Sequence, residues 1–323
     1  MKCLPLLSAA AAALFLNSCA SLHCAPEKTA APCERCFEKI SNASHGDKYP
    51  FWVTRSPGKP VLLLHAMNGL SPRTLELARE MEGWGCRVYL PSLYGPSIKK
   101  ANDAYGFDDV GGAGRYLKKS PDWNTECPGD AGQILDDIRG MAGWVSRREG
   151  GRDVVVIGNC LTGMYPLVLM DEPFVKTVVL CQPATPLKKL GQVLLDLPQK
   201  PGLAAALGLP EEQVGRALDA MGQDRSKRVV GFHYTHDPLG AFEKFNTLSR
   251  RLGERGLGDR FATYLLAPMA DRDAVAASGS WTEVGTTHQR RTLLLPHSTI
   301  INAATPCDRW WFREHLRAAL AAP

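Results

Sequence analysis

The chain has 323 residues, which allows one large domain or two small ones. Its composition, 45% hydrophobic and 22% charged, is ordinary for a globular protein. The net charge of +5 is mild for this length and no block of Lys and Arg stands out, so nucleic acid is not an expected partner.

Residues 1–19 have the pattern of a bacterial export signal. A positive start precedes an apolar run over 4–16, which is too short for a comfortable transmembrane span. Residues 16–19, Leu-Asn-Ser-Cys, resemble the lipobox of bacterial lipoproteins, so we expect cleavage before Cys19 and lipidation of its thiol. Because Ala20 is not an acidic retention signal, the resemblance points to the outer membrane, facing the periplasm. The alternative is ordinary signal-peptide cleavage, which would give a soluble secreted protein.

Residues 20–50 are polar and contain prolines, which predicts a tether leading to the folded domain. Export makes disulfides possible, and Cys33 and Cys36 have Cys-x-x-Cys spacing. No strand precedes this pair as a redox motif requires, and no second pair follows as a zinc site requires. We therefore interpret these cysteines as local disulfides or ordinary thiols and expect neither a metal nor a cofactor.

Short apolar runs alternate with amphipathic helices over residues 51–323, which predicts an α/β domain. The predicted strands are 51–54, 61–65, 86–91, 154–157, 175–181, 228–234, 261–266 and 291–296; the predicted helices are 71–83, 130–150, 243–252 and 310–320. Strands separated by helical crossovers pair in parallel, so we expect a mostly parallel sheet with helices on both faces.

Two stretches interrupt the alternation. Residues 92–128 are glycine-rich with no clear period, and a loop of this length is often functional. Residues 183–226 carry prolines and short apolar segments without a strand, which predicts a helical cap inserted between sheet strands. We expect this cap to gate the site rather than to build the core.

The most informative stretch is 154–163, Val-Val-Val-Ile-Gly-Asn-Cys-Leu-Thr-Gly. Four β-branched residues predict a strand buried on both faces, and small residues then surround Cys160 before an apolar helix. A nucleophile on a strained strand-to-helix turn needs this layout, and the helix N-terminus favours a thiolate. The alternative is a buried structural cysteine in a tight strand–helix connection.

These segments together resemble the dienelactone hydrolase family of α/β-hydrolases, over most of residues 58–320. Residues 60–72 resemble the family's first long strand and oxyanion loop, 87–95 its next strand and loop, and 157–163 its cysteine elbow. The resemblance implies an α/β-hydrolase fold and a triad in which Cys160 is the nucleophile, Asp237 the acid and His297 the base. Each of the three follows a predicted strand, in the order that α/β-hydrolases use.

The mechanism assigns a role to each group. His297 takes the thiol proton and later activates water, and Asp237 holds the imidazole in the required tautomer. The backbone N–H groups of Leu161 and Met67 are the expected oxyanion hole. His288 is the competing candidate for the base because it lies in the same loop, whereas His65 ends a buried strand and is expected to be structural.

Two positions depart from the family pattern. The elbow usually has glycine two residues after the cysteine, where this chain has Thr162. The oxyanion loop often carries a glutamate that interacts with the cysteine, and Ala66 occupies the matching position. Ala66 puts the family's way of activating the thiol in doubt.

The expected function is hydrolysis of a small-molecule carboxylic ester or lactone, because a thiol nucleophile suits activated acyl groups such as lactones, thioesters and aryl esters. Two alternatives remain open: an envelope lipoprotein that uses a hydrolase fold for binding without chemistry, and an acyltransferase with an acceptor other than water.

Overall fold

A computed structural model describes residues 34–40, 49–66, 69–93, 132–183, 207–237, 242–287, 301 and 306–321. The strands are β1 (Phe37–Ile40), β2 (Phe51–Thr54), β3 (Lys59–Leu63), β4 (Cys86–Pro91), β5 (Val154–Asn159), β6 (Val175–Cys181), β7 (Arg228–Tyr234), β8 (Phe261–Pro268) and β9 (Glu283–Thr287). The α-helices are α1 (Pro72–Gly83), α2 (Gly132–Arg148), α3 (Glu211–Gln223), α4 (Glu243–Gly253), α5 (Arg272–Ala277) and α6 (Pro306–Ala321). Short 3₁₀ segments cover Glu34–Cys36, Cys160–Thr162, Tyr165–Asp171 and Gly258–Arg260.

The nine described strands form one sheet in the order β1-β2-β4-β3-β5-β6-β7-β8-β9. β2 runs antiparallel to both β1 and β4, and every pair from β4 to β9 is parallel. The expected parallel pairing of the first long strand with the elbow strand is confirmed, since Val61 aligns with Val155 and Leu62 with Val156. This sheet, with a tight turn after β5, is the α/β-hydrolase fold that the sequence predicts.

The core has two layers because the central strands are apolar on both faces. Successive residues of β5 alternate between them: Val154 and Val156 join one buried cluster, and Val155 and Ile157 the other. The first cluster packs under α2, α3 and α4, and the second under α1 and α6. Helices therefore cover both faces, as predicted.

The expected polar tether over 20–50 is wrong for residues 34–40. Phe37 lies in the second core cluster, and β1 pairs with β2 through Phe37 opposite Thr54 and Ile40 opposite Phe51. The buried Phe37 ring, the partly buried Ile40 and the pairing with β2 attach this four-residue strand as the sheet edge. Residues 1–33, which include the predicted signal and Cys19, lie outside the described residues.

The predicted cap over 183–226 also needs correction in its second half. Helix α3 packs against the 3₁₀ helix Tyr165–Asp171, and its buried side chains belong to the main core cluster. Its contribution to that cluster comes from Val214, Ala217, Leu218 and Met221. This helix is therefore a covering helix of the sheet, because its apolar stripe recurs at helical spacing. Residues 184–206 lie outside the described residues, as do 94–131 of the long loop.

Among the residues that the structure describes, no helix has both the length and the apolar character needed to cross a bilayer.

Candidate active site

Cys160 follows the last residue of β5 and has φ 55°, in the left-handed region that only glycine adopts readily. Its side chain is buried, with 3% of the residue exposed. A non-glycine residue in this conformation costs about 1–2 kcal/mol, and such strain concentrates at functional sites. The strained strand-to-turn geometry predicted for the elbow is present at this cysteine.

Two glycines make the turn possible by removing side-chain volume. A Cβ at Gly158 would lie 2.2 Å from the Thr162 carbonyl oxygen, and one at Gly163 would lie 2.6 Å from the Cα of Pro183. Both contacts are with backbone atoms and cannot relax by a side-chain rotation. The sequence spacing of these glycines around Cys160 is thus a steric requirement of the turn.

Thr162, which replaces the family's glycine, ties the elbow to its neighbours. Its buried hydroxyl accepts a hydrogen bond from the Asn159 N–H at 3.0 Å. The same oxygen lies 3.4 Å from the Leu64 carbonyl and 3.3 Å from the His65 carbonyl, as a donor to the end of β3. This departure from the resemblance therefore has a structural role.

The helix expected after the cysteine differs from the prediction. Cys160–Thr162 is one 3₁₀ turn, closed by the Gly163 N–H donating to the Cys160 carbonyl at 2.9 Å, and a seven-residue 3₁₀ helix follows at Tyr165. Pro166 occupies the first turn of that helix. The cysteine therefore does not lie at the N-terminus of a long α-helix.

On one side of the elbow, His65 is oriented by backbone contacts and kept neutral by burial. Its Nδ1 lies 2.7 Å from the Ala66 carbonyl, and its Nε2 accepts from the Leu93 N–H at 3.0 Å. Burial lowers the pKa of His65 to about 4, with the Ala66 contact opposing that shift. Both ring nitrogens are engaged in structural bonds, which agrees with the structural role expected for this residue.

On the other side, Gln182 supports the candidate acid. Gln182 follows β6 and has φ 45°, so two adjacent strand ends carry a non-glycine residue in the left-handed region. Its amide Nε2 donates to Oδ2 of Asp237 at 2.6 Å, and both residues are buried. Asn159 aligns with Cys181 in the sheet, so Cys160 and Gln182 leave their strands at the same level.

Asp237 lies beyond the end of β7, with 7% of the residue exposed. Because β5, β6 and β7 are successive neighbours, their carboxyl ends span about 10 Å at the usual strand spacing. The structure therefore brings Cys160 and Asp237 to the same edge of the sheet, as α/β folds do for their sites.

A buried cation, Lys244, lies in the same region. It is in the first turn of α4, 1% exposed, and its Nζ lies 3.5 Å from the Pro183 carbonyl. Burial lowers the pKa of Lys244 to about 8, and the charges of Asp237 and Cys160 act in the opposite direction. The ammonium is thus within electrostatic range of both candidate catalytic groups.

Tyr234, Thr287 and Asp308 join three elements next to the site. Asp308 accepts hydrogen bonds at Oδ2 from the Tyr234 hydroxyl at 3.0 Å and from the Thr287 hydroxyl at 2.6 Å. Thr287 ends β9 and Asp308 lies in the first turn of α6. The hydrogen bond between them therefore holds together the two ends of the segment that contains His288 and His297. Tyr234 is three residues before Asp237 in the sequence.

Of the remaining predicted site residues, the structure describes Leu161 but not the others. Leu161 follows the nucleophile within the 3₁₀ turn, where its backbone N–H is adjacent to the cysteine. Met67, His288 and His297 lie outside the described residues. Sequence reasoning missed Gln182 and Lys244. A signal for the second was present, because Lys244 occupies the apolar stripe of α4 with Leu248 and Leu252.

In the described part of the chain, no group of three or more His, Cys, Asp or Glu side chains is arranged to hold a metal ion.

No family model matches the sequence, and neither does any curated protein. Several solved structures resemble the fold. They include the protein TT1662 of Thermus thermophilus (17% identity, 89% of this chain and 98% of that one, TM-score 0.49) and an esterase from Pyrococcus furiosus (12%, 88% and 89%, 0.45). A third is a dienelactone hydrolase-like promiscuous phosphotriesterase from metagenomic libraries (16%, 72% and 81%, 0.43). Sequence identities and TM-scores this low carry no information about the roles of the site residues in this chain.

Proposed function

We propose that the protein hydrolyses carboxylic esters or lactones with a Cys160–Asp237–His297 triad. The observation that carries the proposal is the left-handed conformation of Cys160 at the end of a central parallel strand, enclosed by glycines that no side chain could replace. A purely structural cysteine has no need of this strain. The buried carboxylate of Asp237 at the neighbouring strand ends supplies the second member.

The base is proposed from chain order and from the anchors of its loop. His297 follows Cys160 and Asp237 in sequence, the order that α/β-hydrolases use. The chain between Thr287 and Asp308 begins and ends beside Tyr234, which leads to Asp237. This anchoring supports a histidine of the segment as the partner of the carboxylate. His288 stays the alternative base.

In the proposed reaction, the base removes the Cys160 proton and the sulfur attacks the acyl carbonyl carbon. The tetrahedral intermediate collapses as the ester C–O bond breaks, and the imidazolium gives its proton to the leaving alkoxide. Water, activated by the same imidazole, then attacks the thioester. The acid is released, and the proton returns to the thiolate. Asp237 holds the imidazole tautomer throughout.

The oxyanion hole is proposed at the backbone N–H groups of Leu161 and Met67. Thr162 supports this placement because its hydroxyl joins the elbow to the end of β3, where the oxyanion loop starts. The Gly69 N–H donates to the Ala66 carbonyl at 3.0 Å and fixes the loop on both sides of Met67.

The decisive experiment is a panel of aryl esters, thioesters and lactones tested on the wild type and on Cys160→Ala. We expect turnover in the wild type, none with Cys160→Ala, and full activity with the matched control Cys307→Ala, whose cysteine is exposed on α6. His297→Ala and His288→Ala identify the base, and products formed with added alcohols separate hydrolysis from acyl transfer. Wild-type inactivity across the panel, with Cys160 inert to iodoacetamide, would favour the binding alternative.

We also propose that the enzyme is attached to the outer membrane by lipidated Cys19 and faces the periplasm. The lipobox-like residues 16–19 support this placement. Cys19→Ser should move the protein from the membrane fraction to the soluble fraction and remove the mass of the lipid. Unchanged fractionation and mass would show that the protein is not a lipoprotein.

A further inference from the structure

The cysteine elbow lacks two features that the sequence leads us to expect for activating the Cys160 thiol. The position of the family's glutamate is Ala66, and the elbow continues into a short 3₁₀ turn instead of an α-helix. A thiolate at a buried site needs a nearby positive charge, because burial alone favours the neutral thiol. The described residues around the elbow supply one such charge, on Lys244.

We infer that the buried ammonium of Lys244 is the counter-charge that stabilises the Cys160 thiolate once the base has taken its proton, a positioning role that rests on the proposed function of Cys160 as nucleophile. Lys244 acts through the electric field and the structure of the elbow, not by contact with substrate. The family resemblance does not imply this residue, and the glutamate that it does imply is missing.

The path from the lysine to the elbow is short and made of backbone. Lys244 Nζ lies 3.5 Å from the Pro183 carbonyl, and Pro183 is packed against Gly163, three residues after the nucleophile. Gly163 in turn donates its N–H to the Cys160 carbonyl. The ammonium therefore contacts the segment that packs against Gly163 of the elbow.

The groups around Lys244 favour a charged lysine at neutral pH. Asp237 and Cys160 both act to keep the proton on the ammonium, against the desolvation that lowers the pKa of Lys244 to about 8. The neighbouring His233 on β7 is buried and packs edge-on against Phe245, and Glu243 on α4 points to solvent. One cation thus faces two groups that can each carry a negative charge.

The test is the pH dependence of alkylation of Cys160 by iodoacetamide, followed by mass spectrometry on the Cys160 peptide. The rate follows the thiolate fraction, so its midpoint in pH reports the field at the sulfur. Lys244→Met removes the charge with little change in volume, and Lys244→Arg keeps the charge. We expect Lys244→Met to raise the midpoint by about one pH unit, a tenfold slower reaction at pH 6, and Lys244→Arg to stay near the wild type.

Cys307, which is exposed on α6, is the internal control, and its labelling should not change. Repeating the comparison in a His297→Ala background separates a direct effect on the sulfur from one relayed through the imidazole; the shift should persist there. Lys244→Gln provides a second neutral variant in case Lys244→Met does not fold.

An unchanged Cys160 midpoint in a folded neutral variant, or equal shifts in the Lys244→Arg and Lys244→Met proteins, would overturn the inference. Because alkylation needs no substrate, this outcome is distinct from failure of the proposed function. Ester hydrolysis that depends on Cys160 but shows no shift would reject only the role of Lys244. A shift in a protein that hydrolyses no substrate would reject only the hydrolase.

Discussion

The cysteine elbow is flanked by two strand ends of different construction. Toward β3, Thr162 and His65 make hydrogen bonds with backbone groups, and none of these contacts carries a charge at neutral pH. Toward β6 and β7, Gln182 is strained, Asp237 is a buried carboxylate and Lys244 is a buried cation. The neutral side fixes the shape of the turn, whereas charge and strain are concentrated on the side where proton transfer is proposed.

From this contrast we predict that replacing the polar residues near β3 lowers the free energy of unfolding. Replacing those near β6 should instead lower the catalytic activity. Five measurements test this division, beginning with the largest expected effect.

The β3 side should lose stability in mild acid. The folded protein keeps His65 neutral down to a pKa of about 4, whereas the unfolded chain takes up the proton near 6.5. The stability from this group is complete above pH 6.5 and is lost as the pH falls toward 4, on the order of 3 kcal/mol. Urea unfolding at pH 7 and 4.5 should show a large loss in the wild type and a smaller one in His65→Gln. Equal losses in both proteins would exclude His65 as the cause.

On the β6 side, Gln182→Ala should reduce kcat without unfolding the protein. The substitution removes the 2.6 Å hydrogen bond to Asp237, and a hydrogen bond to a charged group is worth about 1.5–3 kcal/mol. We expect kcat to fall tenfold to a hundredfold on the best ester of the panel. Full activity would mean that Asp237 does not depend on Gln182 for its orientation.

Thr162→Val should lower stability on the β3 side. It keeps the shape of the side chain but removes the hydroxyl that bonds to Asn159 and to the end of β3. Leaving these buried groups without a partner costs about 1–3 kcal/mol. Thr162→Ser retains the hydroxyl and is the matched control; thermal unfolding should rank it between the wild type and Thr162→Val.

Lys244→Met should stabilise the protein at neutral pH by about 1 kcal/mol or more, because burial of an ammonium is unfavourable. The folded pKa of about 8 lies below the unmodified value of 10.5, so the lysine penalises the folded state fully below pH 8 and progressively less up to 10.5. The gain measured by denaturant unfolding should therefore shrink between pH 8 and 10.5. A variant less stable than the wild type at pH 7 would show that Lys244 serves the fold.

The smallest effect compares Gln182→Gly with Gln182→Ala. Both remove the hydrogen bond, but only glycine relieves the left-handed backbone at φ 45°. We expect equal loss of kcat and about 1 kcal/mol higher stability for the glycine variant. Equal stability would indicate that this backbone conformation is not a source of strain.

The sequence predicts the parts of this molecule that have a local signature. The elbow can be predicted because Gly158 and Gly163 flank Cys160 after a run of β-branched residues. The parallel sheet can be predicted because apolar strands alternate with helices. The strain at Gln182 has no such signature, since no glycine neighbours it. Its hydrogen bond to Asp237 joins two strand ends 55 residues apart, and only the sheet order brings them together.

Two errors have a different origin. The strand Phe37–Ile40 is attached by burial of Phe37 and Ile40 and by pairing with β2, neither of which is visible in four residues of sequence. The prolines that precede helix α3 predict a cap, although its stripe of Val214, Ala217, Leu218 and Met221 has the period of a helix that packs on the core.

The carboxylate of Asp308 has an evolutionary consequence. By binding the Thr287 hydroxyl and the Tyr234 hydroxyl, it fixes both ends of the segment that carries the candidate bases, independently of what lies between them. Closing a loop costs only about 0.6 kcal/mol more for each doubling of its length. Insertions within residues 288–305 that keep the candidate bases and the buried Ile301 can therefore leave the sheet intact, so that new specificities can arise in this segment.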